Sequence, residues 1–306
     1  MKVLTEADLP LEKETVCTIG NFDGFHRGHS HILEKVRREA EETGRASLVI
    51  TFEPHPKKLL NPEKAPCRIT GLETKIDLLE GQKIDYLYII KFDREFSRKS
   101  PEEFIDFLTD RLRCKKLIVG HDWRFGYGGK GDIQTAKQLG EKAGLEVEVI
   151  PPIKLGEERV SSTKIRQLLK EGKVEQVSKY LGRDYCIKGK TVKGDRLGSK
   201  IGFPTINIIP PEDLCLRKGV YSGFVQYRDE LLPAVINYGN RPTVDGKKEF
   251  IEAHIIGKKV QIPENAPVRI YFKKFLREEK KFSDIDQLKK QIKADIDSAM
   301  KLLEVK

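Results

Sequence analysis

Two histidines three residues apart, His26 and His29, lie in the string GNFDGFHRGHS (20–30), between an apolar run and the start of a helical pattern. Gly20, Gly24 and Gly28 let the backbone come close to a ligand. A helix N-terminus at this point offers unpaired N–H donors and a partial positive charge to a phosphate. Two imidazoles separated by Gly28 can be aimed at one phosphate group. A metal-ligand pair is the competing chemistry, and a polar turn capping a helix is the plain structural one. The string as a whole, placed where a strand hands over to a helix, favours phosphate chemistry.

A second string of the same character is KGDRLGSKIGFPTINI (193–208). Gly194, Gly198 and Gly202 allow the backbone to fold over phosphates. Thr205 and Asn207, two apart on an extended segment, point to one side. Their hydroxyl and carboxamide oxygens suit a hard cation such as Mg²⁺. A β-turn followed by a strand explains the glycines and the proline equally well.

Three shorter strings carry groups of interest. In SSTKIR (161–166), Ser161, Ser162 and Thr163 can cap the helix they precede, while Lys164 and Arg166 bring cations to its start. In TFEPHP (51–56), two prolines stiffen a loop that carries His55. In GHDWRFG (120–126), Trp123 and Phe125 alternate with Arg124, as a planar ligand favours, although aromatics more often fill cores.

The elements that must position these groups follow from hydrophobic periodicity. Buried-strand runs at 16–20, 47–52, 84–92, 115–120 and 145–150 alternate with helical patterns at 29–43, 72–80, from Ser100, and at 132–143. Such alternation predicts a parallel, doubly wound α/β domain. Two short helices follow, at 161–171 and 173–182. The pattern then changes to close-set strands at 185–192, 219–228, 231–238, 250–256 and 267–275, which predict a small antiparallel barrel. A final helix spans 283–303, with Ile285, Leu288, Ile292, Ile296 and Leu303 on one face. The expected boundary lies near residue 183, giving domains 1–183 and 184–306.

Composition narrows the class. With 306 residues, 38% of them hydrophobic, two cores are expected without staples. No apolar run reaches the roughly 20 residues that span a bilayer, and MKVLTEADLPLEKE has acids where a secretory signal would be apolar, so no membrane partner is expected. The five cysteines are widely spaced with no CxxC pair, which predicts neither a zinc site nor a disulfide framework, and a reducing, cytoplasmic setting. The net charge of +10 divides as +3 over residues 1–183 and +7 over the rest. A basic C-terminal half suits anionic ligands, nucleotides or nucleic acid, as well as a merely solvated lysine-rich surface.

At this point the chain resembles a known family. HxGH after the first strand marks the nucleotidyltransferase superfamily, and GNFDGFHRGH is similar to the adenylyltransferase module of bacterial bifunctional riboflavin kinase/FMN adenylyltransferases, the FAD synthetases. TFEPHP, GHDWRFG and SSTKIR resemble further family motifs in order. GFPTIN is similar to the GFPTAN of riboflavin kinases, and GVY (219–221), INYGNRPT (236–243), IEAHI (251–255) and FLREEKKF (275–282) follow. Departures are Ile206 for alanine, Trp123 for phenylalanine and Glu53 for aspartate.

The resemblance implies a Rossmann-like nucleotidyltransferase domain and then a riboflavin kinase barrel with a C-terminal helix. It implies two reactions: ATP-dependent phosphorylation of riboflavin to FMN, then adenylyl transfer from ATP to FMN, yielding FAD and pyrophosphate, with Mg²⁺ assisting. His26 and His29 would hold the reacting phosphates. Gly20, Asn21, Phe22, Asp23 and Gly24 would line the ATP site, and Ser162, Thr163 and Arg166 would hold the β- and γ-phosphates. His55, Asp122, Trp123 and Phe125 would meet the flavin in the first domain. Gly194, Gly198 and Gly202 would cover phosphates in the second, with Thr205 and Asn207 on the metal. Glu252 would be the kinase base, directed into the barrel while Ile251 and Ala253 point outward; a solvated strand face is the plain alternative. Arg277 would contact flavin or nucleotide. Partners are then small molecules and not nucleic acid, with no oligomeric state specified. Two rivals remain: a nucleotidyltransferase for another phosphorylated metabolite, and a barrel that binds oligonucleotides.

Overall fold

Nearly uninterrupted burial marks the strand that leads into the histidine string: β2 (Thr15–Ile19) has no exposed residue, as a central parallel strand requires. The computed structural model describes residues 1–194, 198, 201–243 and 246–304, and the side chains of 241–248 fall outside that description. The chain divides into two compact units, Met1–Pro66 with Lys75–Ser161, and Cys67–Thr74 with Ser162–Lys306.

The first unit is a six-stranded parallel sheet in the order β1-β4-β3-β2-β5-β6, with β1 (Lys2–Leu4), β3 (Ala46–Glu53), β4 (Tyr86–Lys91), β5 (Cys114–Gly120) and β6 (Glu146–Ile150) around β2. Alternate side chains of each strand serve opposite faces. Val16 of β2 packs with Val36 and Ala40 of α1 (Arg27–Thr43), whereas Cys17 packs with Phe104, Leu108 and Ala136. Those last residues belong to α4 (Pro101–Asp106), the π-turn after it and α5 (Ile133–Ala143). Helices therefore cover both faces, and the domain is doubly wound. The order reverses between β2 and β5, and ligands in such sheets bind at the carboxyl ends of strands beside that switch. GNFDGF follows β2 and HDWRFG follows β5. The short edge strand β1 is missing from the sequence expectation because three residues show no period.

Helix α3 (Leu72–Glu80) precedes β4, and a two-stranded ribbon of β7 (Lys154–Leu155) and β8 (Glu158–Arg159) follows β6. The second unit centres on a closed antiparallel barrel of six strands in the order β10-β13-β12-β11-β14-β9. Its strands are β9 (Tyr185–Val192), β10 (Ile206–Ile208), β11 (Gly219–Tyr227), β12 (Glu230–Thr243), β13 (Gly246–Ile255) and β14 (Pro267–Arg277). The interior is filled by Tyr185, Tyr221, Ile236, Tyr238, Ile251 and Phe272, all fully buried. On the outer face α8 (Ile285–Leu303) sets Ile296, Ala299, Met300 and Leu303 on Val220, Val235 and Ile256.

Three expectations need correction. The barrel has six strands, because β10 is too short to declare itself by alternation. Glu252 does not enter the barrel: Ile251 and Ala253 have no exposed surface and fill it, so the intervening Glu252 lies on the outer face. A narrow apolar interior offers a carboxylate no compensation for lost water. Finally, Cys67 and Cys215 form a disulfide across 148 residues, with Cα atoms 5.1 Å apart. Sequence spacing does not govern that distance. Paired backbones bring the cysteines together, Arg68 N–H donating to the Asp213 carbonyl at 2.7 Å and Cys215 N–H to the Arg68 carbonyl at 2.8 Å.

Packing also draws a line other than residue 183. Segment 67–74 joins the barrel through these bonds and through the Tyr185 hydroxyl, which donates to the Ile69 carbonyl at 2.9 Å. The helices α6 (Ser162–Lys170) and α7 (Val174–Leu181) belong to the same unit.

Candidate active sites

The turn after β2 holds an unusual backbone. Phe22 and Phe25 have φ of 45° and 41°, a region bulky side chains avoid, and Gly24 lies at 81°. Burial of both phenylalanines, 2% and 3% exposed, against Leu33, Val49 and Leu87 offsets the strain. The turn delivers His26 to the N-cap of α1.

The two histidines cap each other. His29 N–H donates to His26 Nδ1, and His26 N–H donates to His29 Nδ1, each at 3.3 Å. The rings stack with centroids 3.6 Å apart and planes 13° from parallel. Gly28 leaves room beside them, since a Cβ there would lie 3.2 Å from the His26 ring, a tight contact. With Nδ1 accepting in both rings, the ring hydrogen of each neutral imidazole sits on Nε2. The pair thus forms a fixed set of Nε2–H donors at a helix N-terminus, suited to phosphate oxygens. Metal binding fits less well, since each Nδ1 is committed to a cap. Among the described residues no group of three or more His, Cys, Asp or Glu could hold a metal ion.

Neighbouring strand ends complete this face. Asp23 is buried, and the Asn21 side-chain oxygen is buried with no hydrogen-bond partner. The Asn21 carbonyl accepts from Thr51 Oγ1 at 3.3 Å, and Lys75 Nζ donates to that hydroxyl at 3.4 Å. After β3, His55 caps the short helix α2 (Pro56–Leu60), its Nδ1 accepting from Lys57 N–H at 3.2 Å. After β5, Trp123 stacks on Phe125 at 4.5 Å, and Phe125 is itself buried against Phe104. Asp122 is bound to Arg159 at 2.6 Å. Burial pushes the Asp122 carboxyl up, but the hydrogen bond and charge of Arg159 outweigh it and hold the group below the usual carboxylate range. Ser162, Thr163 and Arg166 open α6 in the second unit, where Arg166 Nε donates to the Cys67 carbonyl at 2.9 Å.

The second site is built on the barrel's outer face. Glu252 of β13 lies directly opposite Asn207 of β10 on one side and Asn237 of β12 on the other. A cavity of about 570 Å³ opens over this row, and Thr205, Asn237 and Glu252 are among its lining residues. Ile206, paired with Ala253, takes the opposite face. Asn207 is 6% exposed, and its carboxamide packs on Gly194, where a Cβ would overlap the amide. A Cβ at Gly198 would overlap the Phe203 carbonyl, and Gly202 has φ of 95°. Asp195, Arg196, Leu197, Ser199 and Lys200 of the same glycine-rich string lie outside the described residues, as do the Arg241, Pro242 and Thr243 side chains of INYGNRPT.

Gly194→Ala is therefore expected to displace Asn207 and lower the turnover of this site by about tenfold or more, since small misplacements near reacting groups are costly. Measuring turnover alongside thermal melting checks this; an unchanged rate in a folded variant contradicts it.

Several residues of this site escape sequence reasoning. His254, two after Glu252 on the same face, bonds through Nδ1 to the Pro204 carbonyl at 2.9 Å and packs edge-on against Phe203. It ties the GFPT segment to β13. Its spacing from Glu252 was the available signal. Asn237 has a buried side-chain oxygen without a hydrogen-bond partner, and its Nδ2 donates to Glu279 Oε1 at 3.5 Å. Asp295 holds Arg277, with Arg277 NH2 and Asp295 Oδ2 2.7 Å apart.

Comparison with known proteins gives concordant results. Residues 9–164 match the family described as FAD synthetase, and residues 181–303 match riboflavin kinase. The bifunctional riboflavin kinase/FMN adenylyltransferase of Escherichia coli (strain K12) is 37% identical over 282 residues, covering 92% of this chain and 90% of that protein. Its counterpart in Haemophilus influenzae is 35% identical over 284 residues, with 92% of each covered. A crystal structure described as a macrolide-efflux protein from Streptococcus pneumoniae aligns with a TM-score of 0.82 at 26% identity, covering 97% of this chain and 98% of that one. Among the described residues here, no helix is long and apolar enough to cross a membrane.

Proposed function

The chain belongs to the bifunctional riboflavin kinase/FMN adenylyltransferase family, and on that premise we propose a division of labour between its units. The barrel phosphorylates riboflavin with ATP, and the α/β unit transfers the adenylyl group of a second ATP to the resulting FMN, releasing pyrophosphate. The observation that carries this reading is the row Asn207–Glu252–Asn237 across three strands beneath a cavity.

In the kinase reaction Glu252 accepts the proton of the 5′-hydroxyl. The oxygen forms a bond to the γ-phosphorus as the β–γ bridging bond breaks, and ADP leaves. The donors near Glu252, a hydroxyl and a buried carboxamide, fit a hard divalent cation, and Thr205 and Asn207 would hold Mg²⁺. When bound, the ion supplies charge neutralisation at the transferred phosphate. The glycines before them let the chain lie close to phosphate oxygens.

In the adenylyl transfer an FMN phosphate oxygen attacks the α-phosphorus and pyrophosphate departs, with no covalent enzyme intermediate. His26 and His29 contribute Nε2–H donors to the phosphates, and the N-terminus of α1 adds its partial charge. Family motifs, and not geometry, carry Ser162, Thr163 and Arg166 into the binding of the departing phosphates, and His55, Asp122 and Trp123 towards FMN; Phe125 supports Trp123 from below. ATP as co-substrate of both reactions argues for the cytosol as the place of action.

An oligonucleotide-binding barrel would present stacking aromatics on an open strand face. Here Tyr185, Tyr221, Tyr238 and Phe272 fill the interior, whereas Phe224, Tyr227 and Tyr271 are half-buried. What argues against that rival is the Asn207–Glu252–Asn237 row, since nucleic-acid binding needs neither metal ligands nor a base. Incubation with riboflavin, ATP and Mg²⁺ is expected to yield FMN first and FAD after it, and chelating the metal is expected to stop FMN formation. FMN without FAD would contradict the reading of the α/β unit; no phosphorylated flavin would contradict both.

A further inference from the structure

Arg277 reaches the cavity, yet its guanidinium is engaged by protein. Nε donates to both Asp295 oxygens at 2.9 and 3.1 Å, one NH2 hydrogen goes to Asp295 Oδ2 at 2.7 Å, and NH1 donates to the Glu278 carbonyl at 2.9 Å. Asp295 is only 5% exposed and also accepts from Gln291 Nε2 at 3.0 Å. The fork-like guanidinium supplies the pairing that a carboxylate this deeply placed needs.

The position of this pair on α8 gives it a further role. Asp295, Ile292 and Leu288 recur at helical spacing on one face and all line the cavity. The C-terminal half of α8 is fixed by apolar packing of Ile296, Ala299, Met300 and Leu303 on the barrel. The N-terminal half ends at Ile285, which is 55% exposed. The ion pair is the polar anchor between the two halves, tying the helix to the end of β14 where the cavity wall begins.

We infer that Arg277 and Asp295 are a positioning pair for the kinase reaction: Arg277 acts through Asp295, holding the Leu288–Ile292 wall in place, and does not itself bind flavin or nucleotide. The inference rests on the kinase reading of the barrel. An apolar wall suits a planar heterocycle, whereas the glycine-rich string and Thr205 suit phosphates. Disturbing the pair should therefore weaken the use of riboflavin and spare the use of ATP.

The test exploits a property of buried ion pairs: removing one partner is damaging, while replacing both by apolar residues is tolerated. Arg277→Met and Asp295→Leu are each expected to raise the KM for riboflavin by about tenfold or more, with the KM for ATP changed by less than about twofold. The double variant Arg277→Met with Asp295→Leu is expected to recover most of that loss. If Arg277 touched a substrate directly, the double variant would stay as poor as Arg277→Met alone, and the inference would be overturned. A large rise in the KM for ATP in Arg277→Met would overturn it too. Should the apolar pair fail to fold, judged by melting, the exchanged pair Arg277→Asp with Asp295→Arg carries the same comparison. FAD formation from supplied FMN serves as a folding control for the other unit. The kinase reading is tested apart from this pair, by whether Glu252→Gln abolishes FMN formation; if it does and the pair variants do not behave as described, the inference alone fails.

Discussion

Glu252→Gln is expected to reduce FMN formation by about 10²–10⁴-fold, the range general-base catalysis contributes, while FAD formation from supplied FMN continues. Glutamine keeps the length and planarity of the side chain, so packing between Asn207 and Asn237 is preserved. What is lost is the ability to take a proton. The effect should fall on kcat with little change in KM for either substrate, because the interaction removed is made only as the hydroxyl attacks. Quantifying riboflavin, FMN and FAD over time checks this. A variant that still phosphorylates riboflavin at near the original rate would remove Glu252 from the chemistry and leave the cavity row without a base.

His29→Ala is expected to have a complementary effect: FMN accumulates and FAD formation falls by about 10²–10³-fold, the usual loss when one donor to developing charge is removed. The substitution also deletes the cap on His26 N–H and the ring beneath which His26 stacks. A lost cap costs about 1 kcal/mol of helix stability. A melting curve separates that modest effect from the catalytic one. His29→Asn restores a side-chain acceptor for the cap without an imidazole donor at the same reach, so it should recover stability and not activity. Recovery of both would make the histidine a structural cap.

The strand–turn–helix placing of GNFDGFHRGH was legible because three signals coincide: a buried strand, glycines, and histidines at helix-turn spacing. That the two rings would cap one another was not, since it depends on the exact φ values of Phe22 and Phe25. IEAHI displays alternation plainly, but a period of two distinguishes faces without saying which is inside. Only the fully buried Ile251 and Ala253 assign the barrel interior, and they turn Glu252 outward. Long-range partners left no local trace. Cys67 and Cys215 are 148 residues apart, and Arg277 finds Asp295 only after the chain turns back into α8. Motif resemblance named Arg277 and omitted the carboxylate that holds it, because a partner on another element leaves its mark in packing and not in the string.

The claim on which all of this depends is that one chain carries two chemically independent centres joined only by their shared intermediate. Mixing folded Glu252→Gln protein with folded His29→Ala protein, then supplying riboflavin, ATP and Mg²⁺, tests it most directly. Each variant alone should make FAD from riboflavin only at its strongly reduced rate, and the mixture should make it readily as FMN released by one is adenylylated by the other. A mixture that remains inactive, although each variant performs its own half-reaction, would contradict the account.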